Sequence, residues 1–248
     1  MEMQDCSVAL TGGASGIGKA TALLLAREGA RIFVGDMNEA GGRTLEEDAR
    51  AHGLSVTWLP LELTDAASVA AFAEAVLRQT ERLDALVNAA GWDIIQPFLE
   101  NSPEFWDRLI NINLMGSIRL THLVLGRMIA AGRGKIVNIA SDAGRVGSMG
   151  ETVYSAAKGG LIAFTKSLAR EMARHRINVN CVCPGPTDTP LFRRQPEKMQ
   201  EALIRAIPLR RPAQPEEIAE AVMFFLGRRS DYITGQVLSV SGGLTMVD

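Results

Sequence analysis

The chain has 248 residues, a formal charge of −2 and a pI of about 6.0, and no block of like charge, which argues against nucleic acid or an anionic membrane as a partner. Three cysteines, Cys6, Cys181 and Cys183, form no spaced framework, so reduced thiols in a cytoplasmic protein are expected, with no metal site. No run of 18 apolar residues and no charged-then-apolar N-terminus is present, which leaves a small molecule and further copies of the chain as the expected partners.

Apolar runs of strand length alternate with longer stretches of helical period. CSVALTG (6–12) leads through glycines into a helix over 17–28, ARIFVGD (30–36) follows, and a polar helix over 39–52 precedes SVTWLPLEL (55–63). A helix with Val69, Phe72, Val76 and Leu77 on one face comes before DALVNAAG (84–91), and a long helical region spans 103–131. KIVNIAS (135–141), a helix from about 154 to 175, INVNCVCPG (177–185), a polar excursion, a helix over 215–227 and GQVLSVSGG (235–243) complete the chain. Seven near-continuous apolar strands separated by helices predict a single α/β domain over 1–248, a Rossmann-type doubly wound parallel sheet with helices on both faces. Ligands of such sheets bind at the carboxyl ends of the strands, near the point where strand order reverses.

The motifs fall at those ends. TGGASGIG (11–18) joins the first strand to the first helix; its glycines let the backbone approach a pyrophosphate, whose charge suits the free N–H groups of a helix start. Asp36 ends the second strand, where a carboxylate can accept from both ribose hydroxyls and repel a 2′-phosphate, and neither Ser15 nor Met37 offers such a phosphate a cation. NAD is therefore the expected cofactor. Within SDAGRVGSMGETVYSAAK (141–158), Tyr154 and Lys158 share a helix face, so the ammonium is expected to favour the ionised phenol. Ser141, where a strand stops, is placed to hold the reacting oxygen.

These motifs, with NAAG (88–91), Asn113 and PGPTDT (184–189), give the sequence a resemblance to the short-chain dehydrogenase/reductase family over nearly its whole length. The resemblance implies that Tyr154 is the catalytic acid/base, that Lys158 lowers its pKa and binds the nicotinamide ribose, that Ser141 positions the substrate oxygen, and that Asn113 holds a relay water. It implies a cofactor site made of Gly12, Ser15, Gly16, Ile17, Gly18, Asp36, Met37, Glu62, Leu63, Asn88, Gly91, Pro184, Gly185, Thr187 and Thr189, together with Tyr154 and Lys158. It also implies a homotetramer. Two positions depart from the family's habit: Ala89 stands where a second asparagine is frequent, and Glu62 where an aspartate is frequent.

AAGWDIIQPF, NIASDAGRVGS and VCPGPTDT resemble the branch of the family that oxidises cyclic hydroxyacyl-CoA thioesters such as 2-hydroxycyclohexanecarboxyl-CoA. A lid is expected at about 187–212, with Leu191, Phe192, Met199, Leu203 and Ile204 covering a ring or acyl chain and Arg193, Arg194 and Arg205 meeting coenzyme A phosphates. Trp92 and Met149 are expected in the substrate pocket. Two other readings stay open: an NADPH-dependent 3-oxoacyl thioester reductase, and a dinucleotide-binding regulator that does not catalyse.

Overall fold

Seven parallel strands lie in the order β3-β2-β1-β4-β5-β6-β7, so the strand order reverses between β1 (Ser7–Thr11) and β4 (Ala85–Asn88). The structure is a computed structural model that describes residues 3–247. The remaining strands are β2 (Arg31–Asp36), β3 (Val56–Pro60), β5 (Gly134–Ile139), β6 (Ile177–Pro184) and β7 (Val237–Val240). The doubly wound sheet expected from the apolar runs is the one observed, with shorter edges. β3 stops at Pro60 rather than 63, because proline has no N–H with which to extend a ladder. β7 is held to four residues by Gly235, Gly242 and Gly243, all at positive φ.

Helices cover both faces. On one side α1 (Gly16–Arg27), α2 (Glu39–Ala51) and α10 (Pro215–Leu226) pack on the sheet through Leu25, Leu45, Ile218 and Val222. On the other, α3 (Ala66–Gln79), α5 (Gly116–Ala131) and α7 (Thr152–Met172) bury Phe72, Val76, Leu120, Val124 and Leu168. Each large side chain fully buried there contributes about 1.5–3 kcal/mol before conformational entropy is subtracted. The stretch Pro103–Ala131 is long and apolar enough to cross a membrane by length and composition alone, but in this fold its apolar face packs on the sheet and on α3.

That stretch is also not one uniform helix. α4 (Pro103–Ile110) passes into a π turn over Asn111–Met115 before α5 begins. The extra residue in the turn directs Asn113 inward, where it is fully buried. The excursion after β6 is likewise helical in part, with α8 (Pro190–Arg193) and α9 (Glu197–Ala206); α6 (Ala143–Val146) is a single turn after β5. Cys181 and Cys183 sit on the same face of β6, their Sγ atoms 4.0 Å apart in a buried pocket with Leu161.

Candidate active site

A cavity of about 1150 Å³ opens across the carboxyl ends of the strands. At the reversal of strand order, Thr11 Oγ1 accepts hydrogen bonds from the N–H groups of Ala89 and Ala90, both at 3.1 Å, and so ties the end of β1 to the end of β4. The glycine-rich turn then passes so close to neighbouring backbone that side chains are excluded. A Cβ on Gly12 would stand 2.6 Å from Ala90 Cα, and one on Gly18 would stand 2.1 Å from the Gly12 carbonyl oxygen. Ser15 begins α1 without a side-chain cap, which leaves the first N–H groups of the helix facing the cavity. This is a cradle of the shape and polarity that a pyrophosphate needs.

Asp36 lines the same cavity and also braces it. Its Oδ2 accepts from Ala14 N–H and its Oδ1 from Asn38 N–H, both at 2.9 Å, and each oxygen keeps a further lone pair for a ribose hydroxyl. Gly16, Ile17, Met37, Leu63 and Gly91 line the cavity, as do Pro184, Gly185, Thr187 and Thr189 at and beyond the end of β6. Glu62 reaches it too, but its carboxylate turns back to accept from the N–H and hydroxyl of Thr64, both at 2.9 Å. Asn88, expected beside the ribose and the central sheet, does not line the cavity: its amide donates to Thr121 Oγ1 and to Asn138 Oδ1, and it is 1% exposed.

Ser141, Tyr154 and Lys158 meet on the cavity wall, brought there by the end of β5 and the first turns of α7. Lys158 Nζ donates to the Ile139 carbonyl oxygen at 2.9 Å and lies 5.6 Å from the centre of the Tyr154 ring. Burial holds Lys158 down to about 8. The Tyr154 hydroxyl is pushed up, first by burial and then by the Glu151 carboxylate, while a hydrogen bond from Ser141 works the other way. The Lys158 ammonium, expected to lower the phenol, is held at the Ile139 carbonyl.

Asn113 does not line the cavity. Its Nδ2 donates to the Trp92 and Leu109 carbonyl oxygens at 2.7 and 3.0 Å, and its Oδ1 accepts from Trp92 N–H at 3.2 Å. It thus fixes the chain just past Gly91, where an added Cβ would come within 3.3 Å of Asn113 Oδ1 and 3.5 Å of Lys158 Nζ. Asn113 Oδ1 and Lys158 Nζ thus both lie beside this glycine.

Trp92, Met149, Leu191 and Phe192 line the cavity, and Arg108 stacks on the Trp92 ring with its guanidinium 4.3 Å from the centre. The arginines of the excursion do not join them. Arg193 forms a two-pronged pair with Asp188 at 2.6 and 2.9 Å, Arg205 pairs with Glu201, and Arg194 is exposed outside the cavity. The cation that α9 presents to the cavity is Lys198, on the same helix face as Met199, Ala202 and Leu203. Met199 and Leu203 are two of the apolar lid residues expected from the sequence, whereas Lys198 stands in no motif that marks it. Thr189 Cγ2 lies 3.1 Å from where a Gly16 Cβ would be, so the start of this excursion leans over the glycine-rich turn.

Comparison with known proteins identifies the family of this fold. Residues 12–245 match the family model described as Enoyl-(Acyl carrier protein) reductase. The chain is 39% identical to the 3-oxoacyl-(acyl-carrier-protein) reductase FabG of Thermotoga maritima, over 99% of this chain and 100% of that one. It is 37% identical to subunit BbsD of the hydroxy(phenyl)methylsuccinyl-CoA dehydrogenase of Thauera aromatica, over 99% of both. Among solved structures, an actinorhodin polyketide ketoreductase crystallised with NADPH superimposes with a TM-score of 0.92 at 35% identity, over 97% of each chain. With a family model spanning almost the whole sequence and relatives matched end to end, the chain belongs to the short-chain dehydrogenase/reductase family of oxidoreductases.

Proposed function

We propose that the protein is an NAD-linked dehydrogenase that oxidises the secondary alcohol of a hydroxyacyl-CoA to the ketone, with a ring-bearing substrate such as 2-hydroxycyclohexanecarboxyl-CoA. The observation that carries this reading is one cavity holding both Ser141, Tyr154 and Lys158 and a glycine-rich cradle ending in Asp36, where a carboxylate disfavours a 2′-phosphate. The substrate class is supported by the apolar lid residues Leu191, Phe192 and Leu203 on the cavity and by the hydroxyacyl-CoA named in the Thauera relative.

The residues fit a dinucleotide, since the closed approach at Gly12 and Gly18 and the uncapped start of α1 suit a pyrophosphate. The bound nicotinamide supplies the hydride acceptor or donor. Ser141 hydrogen-bonds the substrate oxygen, and Tyr154 exchanges a proton with that oxygen, a contribution of about 10²–10⁴-fold for a positioned acid or base. Lys158 holds the local charge and hands the proton on past Gly91 toward the Asn113 turn. The apolar lid excludes water from the reacting carbon. We also propose a homotetramer, which Leu123 and the partly exposed Ile162 and Phe164 on α5 and α7 would help to bury.

A second reading is reduction of a 3-oxoacyl thioester with NADPH, since burial pushes the Tyr154 hydroxyl up and so favours the form that gives a proton to a ketone. The names of the Thermotoga and ketoreductase relatives point the same way. A spectrophotometric screen decides among the readings: cyclic and linear hydroxyacyl-CoAs with NAD and NADP at alkaline pH, and the matching ketones with NADH and NADPH. Faster turnover with NAD and a cyclic alcohol supports the proposal. A clear preference for NADPH with 3-oxoacyl thioesters replaces it, and no turnover in either direction leaves the non-catalytic regulator.

A further inference from the structure

Two residues past Gly91, Asp93 is 7% exposed, and neither of its carboxylate oxygens makes a hydrogen bond of good geometry. A carboxylate left buried in that way costs several kcal/mol unless it is paired or neutralised. The groups that face it are few. Glu151 comes from the turn that opens α7, with Lys158 and the Tyr154 hydroxyl from α7 itself. The Ile94 N–H approaches from its own loop, and Arg108 of α4 is engaged over the neighbouring Trp92 ring. Lys158 spends a donor on the Ile139 carbonyl. The side chain that acts most on Asp93 is therefore another acid, Glu151, and a hydrogen bond between two carboxyl groups requires one proton on the pair.

The backbone holds these acids together. Gln96 N–H donates to the Gly150 carbonyl oxygen at 3.0 Å, and a Cβ on Gly150 would stand 2.7 Å from Ile95 Cγ2, so the loop after β4 is packed tightly on the turn before α7. Glu151 lies three residues before Tyr154 and lines the cavity.

We propose that Asp93 is held as the neutral acid, donating its proton to Glu151, and that this acid–carboxylate pair is a positioning device for Tyr154: it clamps the loop after β4 to the start of α7 and keeps a second negative charge off the phenol. The proposal rests on the reading of Tyr154 as the proton-exchanging group. Burial, followed by Glu151, raises Asp93 to about 7, while Lys158 pulls it down. Above that pH the proton is lost, the two carboxylates repel, and the added charge drives the Tyr154 hydroxyl further up.

The test combines infrared spectroscopy with kinetics on the full chain. The protonated-carboxyl stretch of the wild type is expected to disappear as pH rises through about 7, to be absent in Asp93→Asn, and to be lost at lower pH in Glu151→Gln, whose amide can donate to an ionised Asp93. Asp93→Asn keeps a donor for Glu151 and cannot ionise. The ratio of its kcat for alcohol oxidation to that of the wild type is therefore expected to rise several-fold with pH across the same interval, with NADH affinity by fluorescence equal in the two proteins. A role in packing alone would lower kcat by one factor at every pH. A pH-independent ratio, or a wild type without the band, overturns the proposal. Should the wild type turn over no alcohol or ketone, the reading of Tyr154 fails, and the infrared band still reports whether Asp93 carries the proton.

Discussion

Lys158 Nζ donates to the carbonyl oxygen of Ile139, the last residue of β5, and from that anchor stands 5.6 Å from the centre of the Tyr154 ring. The cation is thus fixed by the sheet and not by the phenol, and burial and Glu151 push the Tyr154 hydroxyl up. The pH dependence follows from the sign of that shift. Oxidation needs the ionised phenol and should accelerate as pH rises beyond neutrality; reduction uses the protonated phenol and should be level there and fall at strongly alkaline pH. Tyr154→Phe should lower kcat in both directions by about 10²–10⁴-fold with NADH binding intact. Stopped-flow rates and NADH fluorescence check both parts, and ordinary turnover by the folded variant would remove Tyr154 from the chemistry.

Asp36 both braces the glycine-rich turn through Ala14 and presents its carboxylate to the cavity, so its replacement should be read as a ratio. Asp36→Ala should shift kcat/KM toward NADPH over NADH by about tenfold or more, since a like charge at a binding surface costs on the order of a kcal/mol or more. Thermal stability should fall slightly, because the Ala14 and Asn38 N–H groups lose their acceptor. Equal use of both dinucleotides by the unaltered protein would contradict the part assigned to Asp36.

How much of this could be read in advance varies with the kind of signal. The seven strands were legible because buried parallel strands are continuous apolar runs, and the cofactor cradle because only glycine fits where backbone passes within 2.1–2.6 Å of a missing Cβ. The π turn at Asn113 was not, since it leaves the apolar pattern of 103–131 unbroken and carries no proline. Asn88 was misplaced because a strand-end asparagine can face ligand or core, and only the neighbouring Thr121 and Asn138 decide which. Arg193 was misread because its partner Asp188 lies on the same loop, and Asp93 and Glu151 went unnoticed because no motif joins two acids so far apart in the chain.

On the lid, Lys198 lines the cavity whereas Arg193 is tied to Asp188. Lys198→Ala should therefore raise KM for a hydroxyacyl-CoA a few-fold, about 1 kcal/mol, and leave KM for the same acyl group on a phosphate-free thiol unchanged. Arg193→Ala should act on both substrates alike, by freeing the turn that leads into α8. Steady-state kinetics with the two thioesters separates the effects; an equal change in both for Lys198→Ala would show that the lysine meets no phosphate.

The buried acid also marks the stability of the protein. Asp93 titrates near 3.8 when unfolded and at about 7 when folded, so between those values the native state binds the extra proton. Stability should fall as pH climbs from about 4, where the unfolded side chain ionises, to about 7, where the folded one does, and this contribution should then be level. The loss is on the order of 4 kcal/mol for a shift of this size. Asparagine cannot ionise, so Asp93→Asn should be more stable than the wild type above neutral pH and lose the advantage as pH falls toward 4. Denaturant unfolding at a series of pH values measures the difference directly, and parallel curves for the two proteins would mean that Asp93 is ionised in the fold.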